Sequence, residues 1–329
     1  MKQGSRHISK GKQKFTSSAL AAVLGASMLM AGAAQVSASV TAPVIGKLLW
    51  SEEFNGTSLN TSRWNVVSGN GCESGNCGFG NGELEYYSPG NVSIVNVPFE
   101  SATRALAIKA QRQSLNGSSF TSGKITSSGK VKIQYGMIEI RVSTPKVGTG
   151  LWPAIWMLGT GPGVWPRNGE IDIMEMGHGT EERALAKYPA IDNYSGSNVV
   201  TYQAGACVPG NLTCAASSAW QTKNWYIAST PLANRFVKYR LYWTDSQIRF
   251  TVIDNGVERN MYDNPLPVNS TNLAALQTPF YLLFNMAVGG NLTDATTPAQ
   301  VTATLPGTMY VDYVRVYQLD GKGAVTLGK

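Results

Sequence analysis

The sequence predicts an all-β protein, a two-sheet antiparallel sandwich with one curved face. Three observations predict it. Apolar and polar residues alternate with period two in several separate segments, turn residues with 35 glycines among them punctuate those segments, and no stretch carries a long amphipathic helical pattern, an internal repeat or a low-complexity linker.

The first segment stands outside that fold. Lys2, Arg6, Lys10, Lys12 and Lys14 occur without any acid and precede an apolar stretch at 19–34, and Val36-Ser37-Ala38 supplies small residues for cleavage. Residues 1–38 therefore read as a signal peptide, with an uncleaved anchor as the alternative, and the protein is expected outside the cytoplasm, secreted or periplasmic. Removing those five basic residues takes 27 basic against 20 acidic (+7) to 22 against 20 (+2). The basic balance thus belongs to the leader. Nothing argues for nucleic acid, and no membrane contact is expected once the leader is cleaved.

About 290 residues remain, read as a single domain over 39–320 with a flexible tail at 321–329 and expected as a monomer. Leu106, Ile108 and Ala110 alternate with polar residues, as do Ile138, Ile140 and Val142 with Glu139 and Arg141. Residues 236–244 and 248–254 predict a hairpin whose second strand leaves through Asp254-Asn255-Gly256, a tight-turn sequence. Residues 280–288 and 310–318 complete the strands, and short helices are allowed at 181–186 and 271–276. Four cysteines, Cys72, Cys77, Cys207 and Cys214, permit three pairings. Local pairing of Cys72 with Cys77 and Cys207 with Cys214 is the simplest, both pairs lying in Gly/Asn/Ser-rich loop sequence. A zinc site or a histidine-dependent nucleophile is disfavoured, because His178 is the one histidine after the leader.

The candidate chemistry sits in Gly169-Glu170-Ile171-Asp172-Ile173-Met174-Glu175-Met176-Gly177, three carboxylates inside an apolar strand. Side chains alternate faces, so Glu170 and Asp172 share one face and Glu175 falls on the other unless a bulge at Met174 or its neighbour returns it. Such a row suits retaining hydrolysis of a glycosidic bond, which needs a nucleophilic carboxylate and an acid/base with oxygens roughly 5–5.5 Å apart. Two long side chains leaning toward each other across Asp172 close most of the roughly 13 Å between their Cα atoms. Glu170 is assigned as nucleophile, Glu175 as acid/base and Asp172 as the group that holds their pKa values apart. Solvent-facing charge and a cation site are the competing readings, though hard-metal loops carry glycine and backbone ligands between their acids, not Ile and Met. Trp152 and Trp156 share a strand face just upstream and Trp165 lies five residues before Glu170, so aromatic planes that suit sugar C–H faces accompany the acids.

Seven segments in order resemble glycoside hydrolase family 16 in its laminarinase-like branch, covering about residues 48–318. They are Leu49-Trp50-Ser51-Glu52-Glu53-Phe54-Asn55-Gly56, Gly80-Asn81-Gly82-Glu83-Leu84-Glu85-Tyr86-Tyr87, Tyr135-Gly136-Met137-Ile138-Glu139-Ile140-Arg141, the Trp-Pro-Ala-x-Trp run, the carboxylate strand, Asn285-Met286-Ala287-Val288-Gly289-Gly290, and Val311-Asp312-Tyr313-Val314-Arg315-Val316-Tyr317. The resemblance implies a concanavalin A-like jelly roll related to the legume lectins, with the carboxylates on a concave sheet and a cleft open at both ends, hence endo-action. It implies a β-1,3- or mixed-linkage glucan as partner, agarases and carrageenases sharing the signature. It places Asn81, Glu85, Arg141 and Asn285 with the tryptophans among the substrate-binding residues. No catalytic cofactor is implied, but a structural calcium on Glu53 and Asp312 is. One departure stands out: the family's sugar-facing histidine on the next strand has no counterpart in residues 183–189. The leading expectation is a secreted endo-β-1,3-glucanase, with a mixed-linkage glucanase or galactan hydrolase as alternative and a non-catalytic carbohydrate-binding protein from another class.

Overall fold

The computed structural model describes residues 43–328 apart from 221, 222 and 271, and the side chains of residues 220 and 273 are left aside. The leader therefore lies outside the described residues. Among the described residues, two antiparallel sheets of eleven and ten strands face each other, and their only parallel pair joins Glu85–Tyr87 to Ser118–Ser122. Helix among the described residues is confined to 3-10 turns and the single-turn Leu273–Leu276.

One sheet carries, in spatial order, Val257–Asn260, Gln247–Asp254, Val237–Trp243, Gly136–Ser143, Gly307–Leu319 and Glu100–Leu115, with Ile45–Glu52 also on Gly307–Leu319. The other runs Ala215–Ser217, Tyr194–Tyr202, Glu170–Glu175, Leu151–Gly159, Phe280–Val288, Lys124–Thr126 and Asn65–Val66. The core fills the space between them. Leu106, Ile108, Ile138, Ile140, Ile155, Ile171, Phe250, Phe284, Val314 and Val316 are all fully buried there, as the period-two alternation requires. Burying each such side chain is worth roughly 1.5–3 kcal/mol, and this drives the two faces together.

The expected hairpin forms: Val237–Trp243 pairs with Gln247–Asp254. At its far end Asn255 (φ 51°) and Gly256 (φ 78°) make the two-residue turn that pairs Asp254 with Val257. Both local disulfides are present, Cys72–Cys77 and Cys207–Cys214.

The C-terminal residues correct the expectation of a loose tail. Ala324–Leu327 is a strand paired with Val131–Gln134, because that strand's edge offers unsatisfied backbone groups and Ala-Val-Thr-Leu suits extended backbone.

Candidate active site

Strand register builds the site as three rungs across the second sheet. The first is Lys124, Asn285, Ala154, Glu175 and Gly196; the second Thr126, Leu283, Trp156, Asp172 and Asn198; the third Tyr281, Leu158, Glu170 and Val200. Between Leu158 and Ala154 there are four steps, whereas Glu170 to Glu175 takes five. The extra residue falls between Asp172 and Met174, so Ile173 is absorbed as the expected bulge. Ile171, Ile173 and Met174 all point into the core as a result, and the three acids line the opposite face.

Each glutamate is held by an indole. Trp152 Nε1 donates to Glu175 Oε1 at 3.0 Å and Trp165 Nε1 to Glu170 Oε2 at 3.0 Å. Ala154 stands between Asn285 and Glu175 with only a methyl group, which leaves room above the first rung. Burial pushes both glutamates up to about 7; for Glu170 the nearby Glu175 adds to this, and the Trp165 hydrogen bond and Lys124 oppose it. Asp172 is also raised, by burial and then by Glu170 and Glu175. Three acids crowded together thus share fewer than three negative charges near neutrality. The glutamates differ in that Glu170 feels the Glu175 charge, which raises it, and the smaller opposing charge of Lys124.

Lys124 escaped the sequence reading. Its ammonium lies 4.3 Å from the ring centre of Phe79 and 5.1 Å from that of Trp156, and its side chain is buried. A lysine in a Lys-Ile-Thr strand carries no local signal, and only the sheet order sets it on the rung of Glu175.

The other expected residues divide. Trp156 Nε1 donates to Asn285 Oδ1 at 2.7 Å, Asn285 Nδ2 donates to Tyr87 Oη at 3.1 Å, and Tyr87 Oη donates to Glu83 Oε2 at 2.9 Å. Asn81 Nδ2 donates to Glu83 Oε1 at 3.1 Å. Asn285 is buried with both ends of its amide engaged, so it fixes the Trp156 indole. Glu85 corrects its expected sugar-facing role. The residue is 1% exposed and its carboxylate accepts from the Val288 backbone N–H at 2.6 Å, tying two chain segments together beneath the surface.

Arg141 is a second correction. It lies on the other sheet, and because Ile140 and Val142 occupy the core, alternation turns it outward. There it pairs with Glu100 at 2.9 Å and Asp312 at 2.7 Å and covers Phe236.

The expected calcium finds no support in this arrangement. Glu53 accepts two hydrogen bonds from the Arg315 guanidinium and Asp312 accepts from Arg141, so arginines occupy the oxygens that a hard cation would take. Among the described residues no group of three or more His, Cys, Asp or Glu side chains converges as a metal site.

The histidine departure also shifts. Residues 183–189 form no strand; the strand beside the carboxylates is Tyr194–Tyr202, and Asn198 stands opposite Asp172. His178 comes from the preceding loop and lies against Gly196, where a Cβ would sit 2.7 Å from its Nε2. Burial holds its pKa down to about 3, so the ring is neutral, packed edge-on to Tyr194 with ring centroids 4.9 Å apart.

A two-sheet β-sandwich with indole-capped glutamates in a bulged row defines a glycoside hydrolase of the sandwich class. The family model of glycosyl hydrolases family 16 matches residues 95–315, and the chain belongs to that family. A glucan endo-1,3-beta-glucosidase A1 of Niallia circulans is 32% identical over 82% of this chain, which spans only 38% of that protein's length. A beta-glucanase of Rhodothermus marinus is 29% identical, covering 83% of this chain and 85% of its own. Among solved structures, the laminarinase catalytic domain of Thermotoga maritima MSB8 superposes with a TM-score of 0.63 at 30% identity, over 83% of this chain and 98% of that one.

Proposed function

We propose that this chain is an exported endo-β-1,3-glucanase that cleaves with retention of anomeric configuration. The observation that carries the reading is the bulge that returns Glu175 to the face of Glu170 and Asp172, with an indole on each glutamate. The 1,3-linked substrate is favoured by the likeness to the Niallia and Thermotoga proteins, whose names give a 1,3-glucosidase and a laminarinase.

Glu170 is assigned as nucleophile and Glu175 as acid/base. Both are raised to about 7, so one proton can reside between them near neutrality, and the Lys124 charge favours the ionised form of Glu170. In the first step a Glu170 oxygen bonds to the anomeric carbon as the bond to the leaving sugar oxygen breaks, and that oxygen takes the Glu175 proton. In the second, Glu175 removes a proton from water, whose oxygen bonds to the anomeric carbon while the Glu170 ester breaks. Asp172 keeps the two glutamates from ionising together. Trp152, Trp156 and Trp165 supply the sugar platforms, with Asn81 at the cleft margin. No cofactor takes part in either step.

Residues 1–38 serve as the export signal, and the remainder acts as a single-domain monomer whose catalytic domain runs from 39 to 320, with Ala324–Leu327 adding a strand to it. No helix among the described residues is long and apolar enough to cross a membrane. Assay of reducing ends released from laminarin, lichenan, agarose and carrageenan tests the substrate. Laminarin is expected to be cut fastest into oligosaccharides of mixed length; faster release from agarose or carrageenan would move the assignment to a galactan.

A further inference from the structure

Asn198 lies directly across from Asp172, on the same rung and the same face as the carboxylate row. Side chains so placed sit about 4.5–5.5 Å apart at Cβ. Its carbonyl oxygen is clamped. The backbone N–H groups of Val199 (2.9 Å) and Ala219 (3.0 Å) donate to Oδ1, as do the hydroxyls of Ser217 (2.9 Å) and Ser218 (3.0 Å).

This fixes which way the amide faces. Backbone N–H groups only donate, so the atom they meet is the oxygen and the amide cannot be turned over. Nδ2 is left with no acceptor among the described residues. Asp172, for its part, receives no hydrogen bond from any described residue, although it is only 5% exposed. An amide held by its oxygen and a buried acid therefore occupy paired positions on one rung, each with hydrogen-bonding capacity that no described residue meets. An apolar ligand would leave both unsatisfied, and an ether or sulfate oxygen, with no proton to give, would meet the amide but leave the acceptor oxygen of Asp172 unmet. A hydroxyl satisfies both, accepting from the amide and donating to the acid.

We propose that Asn198 Nδ2 and the Asp172 carboxylate together grip one free hydroxyl of the bound sugar, making Asn198 a specificity-determining residue. The inference rests on the glycan-hydrolysing reading above. It also gives the disulfide-closed segment a purpose: Ala215–Ser217, directly after Cys214, adds an edge strand to the carboxylate sheet, and Ser217, Ser218 and Ala219 form the clamp.

The test is Asn198→Asp, which keeps an oxygen for all four clamp donors and replaces only the outward N–H donor. With laminarin, kcat/KM is expected to fall about 10- to 100-fold while the melting temperature stays near that of the wild type. Ser217→Ala with Ser218→Ala loosens the clamp and should lower kcat/KM by about three- to tenfold, with little further loss when added to Asn198→Ala, because both act on the same donor. Asn198→Asp within about threefold of the wild type, or full additivity of the serine and asparagine changes, would overturn the assignment. A wild-type protein inactive on every polysaccharide would overturn the hydrolase reading and this inference with it. A wild type that hydrolyses laminarin beside an unimpaired Asn198→Asp overturns the Asn198 role alone.

Discussion

The outward faces of the two sheets carry the same residue types and treat them in opposite ways. On the larger sheet and its margin five acids are paired with arginine. Arg240 joins Glu139 at 2.6 Å and Glu258 at 2.8 Å, Arg315 joins Glu53 at 2.8 Å, and Arg141 joins Glu100 and Asp312. Glu53 and Glu100 are accordingly held below the usual carboxylate range, by Arg315 and Arg141 respectively. Asp312 is the exception, raised because burial outweighs its arginine. On the carboxylate sheet three acids share one face with no arginine paired to them, and the glutamates rise to about 7. Paired charge holds strands in place; unpaired, crowded charge stores the readiness to exchange protons that acid/base chemistry needs.

The largest expected effect breaks that comparison by exchanging glutamate for glutamine on each face. Glu170→Gln and Glu175→Gln should each lower kcat by at least about a thousandfold with an unchanged melting temperature, since each removes a nucleophile or a proton and leaves a neutral isostere. Glu139→Gln on the paired face should do the reverse. It leaves the buried side of Arg240 short of its counter-charge and Tyr313 without its carboxylate acceptor at 2.7 Å, costing about 2 kcal/mol of stability while kcat stays within about twofold. Side-by-side thermal melts and turnover measurements decide it. A Glu139→Gln enzyme that melts normally but does not turn over would erase the distinction.

A smaller effect sharpens the comparison from within the cleft. Lys124 is the cation whose charge acts on Glu170, stabilising its ionised form. In Lys124→Met that support is gone and the Glu170 pKa rises further. Because the nucleophile must be ionised, the acidic limb of the kcat/KM profile should move to higher pH, leaving the alkaline limb, set by loss of the Glu175 proton, nearly in place. A pH profile in which the acidic limb stays put, or moves down, would remove Lys124 from the charge balance of the site.

The same contrast explains what the sequence made legible. Period-two alternation exposed most strands, and the Glu-x-Asp-x-x-Glu spacing demanded a bulge because any other arrangement would bury Glu175 in the core. Those features are local. The resemblance sets Arg141 among the sugar-binding residues, and alternation does turn it outward, but which sheet it faces out from depends on pairing Gly136–Ser143 with Val237–Trp243 and Gly307–Leu319. Glu85 looked available because nothing nearby in sequence announces that Val288, some two hundred residues on, would use it. Lys124 and Asn198 were invisible for the same reason: each matters through a rung neighbour on another strand. Residues 183–189 offer no strand position for a histidine, because the neighbouring strand begins only at Tyr194, after a loop and two 3-10 turns.

The central claim is that the bulge brings Glu170 and Glu175 close enough to act on one anomeric carbon from opposite roles, with no water seated between them. Proton NMR of the first product released from a β-1,3-glucan tests it most directly, before mutarotation scrambles the anomers. Retention predicts that the new reducing end appears first as the β-anomer. An initial α-anomer would mean a single displacement by water and carboxyl groups roughly 6.5–9.5 Å apart, contradicting both the mechanism and the geometry assigned to the bulged row.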